Sequence, residues 1–215
     1  MTSLASDSLT EIVARLDARL RRVDEERWLS SRYASDQDRH TLIILYAFYY
    51  ELARVRLAVS DQTMGQIRFQ WWRDALDQIA AGTVRDHDLV QALADQITSE
   101  RLTGSGLMRL IDQHQEAFLR ADRGLEPESD LASLAANLLS PKQNVSDLIA
   151  LVAPDWARLR RGEAQDHSLT RAVIASDLRP ALAHFRLRHA WAKGRSPGPI
   201  RTRLSILRAM LSGVI

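Results

Sequence analysis

Residues 46–76, YAFYYELARVRLAVSDQTMGQIRFQWWRDAL, hold the end of one helical pattern and most of a second. Apolar residues recur at three- and four-residue spacing, and no run of β-branched residues alternates with polar ones, so both halves read as helix. Between them, Ser60-Asp61-Gln62-Thr63 is a turn, and Asp61 or Thr63 is placed to accept the free amides of the following helix. The first helix is expected over about 39–59, after a polar start at Asp36 to Asp38. The second is expected over about 64–81 and stops at Gly82, glycine being the usual residue just past a helix end.

The same periodicity extends outward in both directions. Residues 8–22 form an amphipathic pattern with Leu9, Ile12, Val13, Leu16 and Leu20 on one stripe. Helices are expected near 88–99, 104–120, 130–139, 144–161 (interrupted at Pro154), 168–176, 178–193 and 200–212. Polar breaks fall at 121–130, 162–168 and, as GRSPGP, at 194–199. The expectation is an all-α, single-domain helical bundle over residues 1–215, a length sufficient for one well-packed core.

Composition excludes several classes of chemistry. The chain has no cysteine, which removes disulfides, thiolate metal sites and cysteine nucleophiles. No apolar run approaches the ~18 residues of a membrane span. The N-terminal segment carries acids early and no apolar core, so no secretory signal is read and a cytoplasmic location fits. The six histidines show no H-x-x-x-H or H-E-x-x-H spacing, so a zinc site is not expected. No glycine-rich phosphate loop is present, and Ser30 and Ser31 lack the context of a nucleophile elbow.

The pair LYAFYYELARVRLAVSD (45–61) and GQIRFQWWRDAL (65–76) resembles the squalene/phytoene synthase family. More narrowly, it resembles a divergent branch whose pattern is close to AFN-x-ELA-x-V-x-x-x-VSE, followed by G-x-[IM]-R-x-Q-[FW]-W. That branch includes bacterial synthase-type proteins and a mitochondrial relative implicated in assembly of respiratory complex I. The resemblance is good over 27–120, weak over 121–169 and moderate over 170–215. It implies a bundle of the isoprenoid synthase type, shortened relative to active members.

Active relatives condense two prenyl diphosphates with two DxxxD motifs on facing helices. Carboxylates four apart share a helical face and together hold Mg²⁺. The metal neutralises the departing diphosphate, and an apolar tunnel shields the cation. Here the matching stretch is Glu51-Leu52-Ala53-Arg54-Val55-Arg56, with one acid and arginine where a ligand would stand. No DxxxD occurs anywhere in the chain; Asp112-x-x-x-Glu116 has that spacing but aligns with a different family helix. No catalytic residue, metal ligand or cofactor is therefore assigned. The resemblance points to a catalytically degenerate protein acting as a binding or assembly factor. The alternative is a prenyltransferase of isoprenoid or carotenoid biosynthesis, which would require Mg²⁺.

Candidate site residues follow. Glu51 and Arg68 both lie beside apolar stripes, so Glu51 is expected to pair with Arg54 or Arg68 rather than stay unpaired. Tyr46, Tyr49, Tyr50, Trp71 and Trp72 pack the core or wall a pocket for a prenyl or lipid ligand. The charge is uneven: residues 1–170 carry 20 basic and 26 acidic side chains, residues 171–215 nine basic and one acidic. In that basic segment Arg179, Arg186, Arg188, Lys193, Arg201 and Arg203 are candidates for binding an anionic surface. Their counterpart is either an acidic face of the same chain, a protein partner, or an anionic membrane, which would make the protein peripheral at the inner membrane. Nucleic acid is not expected, because no recognisable nucleic-acid module accompanies the charge.

Overall fold

The computed structural model describes residues 2–121, 127–163 and 168–215, with side chains from residue 8 onward. Its named elements are all helical. In chain order the helices are α1 (Thr2–Val23), α2 (Glu25–Ser31), α3 (Asp36–Ala58), α4 (Gln62–Ala80), α5 (Asp88–Thr98), α6 (Gly104–Leu119), α7 (Glu128–Leu139), α8 (Ser146–Arg160), α9 (Arg179–Leu182), α10 (Arg188–Trp191) and α11 (Pro199–Ser212). Contacts gather into two compact units, one from Met1–Val23 with His40–Pro127, the other from Asp24–Arg39 with Glu128–Ile215. Among the described residues no helix is long and apolar enough to cross a membrane. The polar breaks expected at 121–130 and 162–168 lie partly outside the described residues.

The first unit is built on α3, which is buried continuously from Thr41 to Tyr49. A helix buried all round cannot show a clean amphipathic stripe, and its apolar residues run together accordingly. Its one polar residue in that run, Thr41, donates its hydroxyl to Gln96 Oε1 on α5 at 2.6 Å. Asp61, of the two caps considered, accepts from the Met64 amide at 2.8 Å and starts α4. Thr103 caps α6 in the same way, accepting from the Gly106 amide. On α4, Gly65 lets α6 come close: a Cβ there would stand 2.2 Å from the Phe118 ring. The stripe Ile12, Val13, Leu16 and Leu20 of α1 is buried, and Arg15 on its rim makes two bonds to the Asp88 carboxylate, at 2.8 and 3.0 Å.

The second unit departs from expectation in four places. Pro154 does not interrupt α8. It stands on the exposed face with Ala150, so the carbonyl that loses its partner faces water. Residues 168–175 are not helical; Ala172 exchanges two backbone bonds with Ile215, and the Ile174 amide donates to the Gly213 carbonyl. Gly213 makes this return turn at φ 71, where a Cβ would lie 2.6 Å from the Ile174 oxygen. The expected helix over 178–193 is broken into α9, a 3₁₀ segment at Ala183–Leu187, and α10. Here Leu178, Ala181, Leu182, Ala183, Phe185 and Leu187 are all buried, so packing from every side sets the winding. A helix that was not foreseen, α2, also belongs to this unit.

Candidate functional site

Glu51 to Arg56, the stretch that the resemblance sets at the place of the synthase metal motif, lies on the last turns of α3 in the first unit. Glu51 is mostly buried, with 17% of its side chain exposed. Arg54, one turn on, donates to its carboxylate at 3.1 Å. Arg19, from α1, forms a second close ion pair with the same carboxylate and lies over the Tyr50 ring at 5.8 Å. Arg19 was not foreseen: periodicity places it at the rim of the α1 stripe but says nothing of its partner. Arg68 lines the same cleft, yet the Glu51 pairs come from Arg54 and Arg19.

That cleft is open and holds about 240 Å³, between Glu51, Arg54, Arg68, Trp71, Trp72 and His87. Trp72 is buried edge-on to Phe48, with centroids 5.3 Å apart. Trp71 is partly exposed; it packs edge-on to Trp72 at 4.8 Å and lies under the Arg85 guanidinium, also at 4.8 Å. Arg85 further donates to the Trp71 carbonyl at 3.1 Å and to Gln78 at 2.7 Å. Trp72 is thus in the core and Trp71 is half out of it, and both rings line the cleft. Tyr46 and Tyr49 are buried, and Tyr49 stacks edge-on with His114 at 4.8 Å. Burial, reinforced by the positive charge of Arg56, holds the His114 imidazole well below its usual range, so it is neutral at pH 7.

Magnesium, implied for active relatives, does not fit these residues. Among the described residues Glu51 is the single carboxylate lining the cleft, and two guanidiniums already hold it. Cations at those positions repel a divalent ion. Among the described residues no group of three or more histidines and carboxylates could hold a metal.

The second unit contains a charge network that the sequence reading missed. Arg27, 1% exposed, bridges the Asp24 and Glu128 carboxylates through two close ion pairs. Arg160 adds bonds to Asp24 at 3.2 Å and to Glu26 at 3.3 Å. Burial alone would raise the Asp24 carboxyl, but Arg160, Arg27 and His184 outweigh it and hold it well below the usual carboxylate range. His184 is buried against Trp156, 4.8 Å between centroids, and burial together with Arg27 pushes its imidazole well below the usual range.

The six basic candidates of the C-terminal segment divide. Arg188 is a correction: it is 1% exposed and donates to the Thr170 and Phe185 carbonyls, so it cannot bind at a surface. Arg179 donates to the Met210 and Leu211 carbonyls, and Arg186 to that of Val214. Arg179 thus serves the end of α11, whose last carbonyls lack helical partners, and Arg186 the segment just past it. Lys193, Arg201 and Arg203 are exposed, and Arg203 pairs with Glu25 at 3.3 Å.

Residues 20–137 match the family model for squalene/phytoene synthase. The chain is 30% identical over 121 residues to NADH dehydrogenase (ubiquinone) complex I, assembly factor 6, of Bos taurus, and 29% identical over 121 residues to that of Homo sapiens. These alignments cover 56% of this chain but 36% of each relative, so the chain spans about a third of their length. A Dictyostelium discoideum homolog of the same factor is 24% identical over 99 residues, 46% of this chain and 28% of the relative. No solved structure matches.

Proposed function

The chain belongs to the squalene/phytoene synthase family, and from that premise we propose that it is a catalytically degenerate member acting as a binding or assembly factor for a protein partner. The single observation that carries this reading is the state of Glu51. Where an active synthase would present a metal-binding acid, this carboxylate is held by Arg19 and Arg54. Ionising an allylic diphosphate needs cations that bind the diphosphate and acids that hold those cations. Among the described residues the cleft has one acid, and Arg19 and Arg54 already hold it. The names of the relatives support an assembly role, and respiratory complex I is the target they suggest.

Two measurements test this. Incubating the protein with farnesyl or geranylgeranyl diphosphate and Mg²⁺ is expected to release no diphosphate above background. Turnover on the order of 1 s⁻¹ or faster would return the chain to the prenyltransferases. Deleting the gene is expected to lower the amount of assembled NADH dehydrogenase complex on native gels. Loss of squalene or carotenoid, with that complex intact, would overturn the assembly role.

A further inference from the structure

We propose that α11 and the basic groove beside it form a face that docks on an anionic lipid bilayer. Its inward side is ordinary: Thr202, Ile206 and Ala209 are buried in the second unit. Its outward side is not. Ile200, Leu204, Leu207 and Leu211 are 73, 49, 37 and 73% exposed. Their spacings of four, three and four residues place them on one stripe, turned away from the buried residues. An outward row of large aliphatic side chains is a feature that water disfavours and a partner explains.

The groove runs along one flank of this stripe. It holds about 870 Å³ and is lined by Arg171, Arg186, Lys193, Arg195, Arg201 and Arg208. Among the described residues no carboxylate lines it. Arg186 is held below its usual range by burial and by the like charges of Arg208 and Arg171, which means these guanidiniums crowd one another. Crowded cations of this kind are relieved by an anion. On the opposite flank of the stripe stands Arg203.

Neither feature alone selects an occupant. The stripe would accept any apolar partner, and the groove any phosphate. Leu204 belongs to both. A bilayer surface supplies both chemistries at once, with phosphates at the headgroup level and acyl chains a few ångströms beneath. A helix lying in that plane would bury its aliphatic row while basic side chains on either flank meet the headgroups.

Co-sedimentation of the full chain with lipid vesicles tests this face. Binding is expected to vesicles of phosphatidylcholine with phosphatidylglycerol, to be absent with phosphatidylcholine alone, and to weaken as salt screens the surface charge. Replacing Lys193, Arg201 and Arg208 together by Gln is expected to weaken binding by about 100-fold. Leu204→Gln with Leu211→Gln should weaken it by about 10-fold while helicity by circular dichroism is unchanged. All five side chains are exposed, and the comparison of neutral with anionic vesicles needs no variant. Equal binding to both vesicle types, or to neither, overturns the proposal. So does full binding by the leucine variant, which would leave a groove for phosphate alone. Tight binding of a single-stranded oligonucleotide without vesicle binding would assign the groove to nucleic acid and overturn it equally. This face does not depend on whether the first unit can ionise a diphosphate, so either idea can fail without the other.

Discussion

The two units treat charge in opposite ways. In the first, the one acid of the aligned motif sits at a cleft, and its arginine partners are 40 and 48% exposed. In the second, Asp24, Arg27 and Glu128 are sealed inside, each with 5% exposure or less. An ion pair bathed in water is worth little, whereas a buried one costs heavily to break because the surviving charge is stranded. The difference separates a water-exposed ion pair at a cleft from a sealed network inside a unit. The cleft can lose its pair and keep its fold. The buried network cannot.

The sharpest way to break that contrast is Arg27→Met. It leaves Asp24 and Glu128 buried without their bridge and is expected to cost about 3–5 kcal/mol in equilibrium urea unfolding. Adding Glu128→Met should recover part of the loss, because removing both members of a buried pair is much cheaper than removing one. If Arg27→Met costs no more than a surface substitution, the network is not what holds the second unit.

Acid unfolding separates the groups by window. His114 and His184 have lowered folded-state values, so the unfolded chain takes up their protons first. Their contribution is present above about pH 6.5 and is lost as pH falls from there, by at most about 1.4 kcal/mol per pH unit for each. Asp24 is also depressed, and its contribution is present above about pH 3.9 and lost only below that. His184→Phe is expected to flatten the stability profile between pH 6.5 and 4, measured as urea midpoints across pH. An unchanged slope would place the acid sensitivity elsewhere.

Glu51→Gln is the smallest effect and completes the comparison. With both arginine partners partly exposed, it should cost less than about 1 kcal/mol in the same urea assay. A cost comparable to that of Arg27→Met would erase the distinction between cleft and core.

How much of this could be read from the chain follows the reach of each interaction. The stripe of α1, the Asp61 cap and the Gly82 stop depend on neighbours within a turn or two, and all were legible. Gly65 was visible as part of a motif, but its reason is the Phe118 ring on another helix. Nothing local in Asp24-Glu25-Glu26-Arg27 marks Asp24 and Arg27 as buried. The partner that lets Arg27 be buried, Glu128, lies 101 positions away. The breaks between 178 and 191 were hidden for a related reason: side chains buried on every side carry no period to read. Arg179 and Arg186 looked like surface charge because a bond from a guanidinium to a backbone carbonyl leaves no mark in the sequence. At the cleft, the missing acids were plain, but Arg19 as the second holder of Glu51 was not.

The arginine-rich groove has a practical side. The whole chain contains only two lysines, Lys142 on the turn after α7 and Lys193 on the groove wall, and no cysteine. Arginine's guanidinium does not acylate under conditions that modify an ammonium side chain. An amine-selective reagent therefore reports on this groove through one peptide, with Lys142 as the internal reference. Occupancy of the face can be followed by mass spectrometry on the unaltered protein, without introducing a probe.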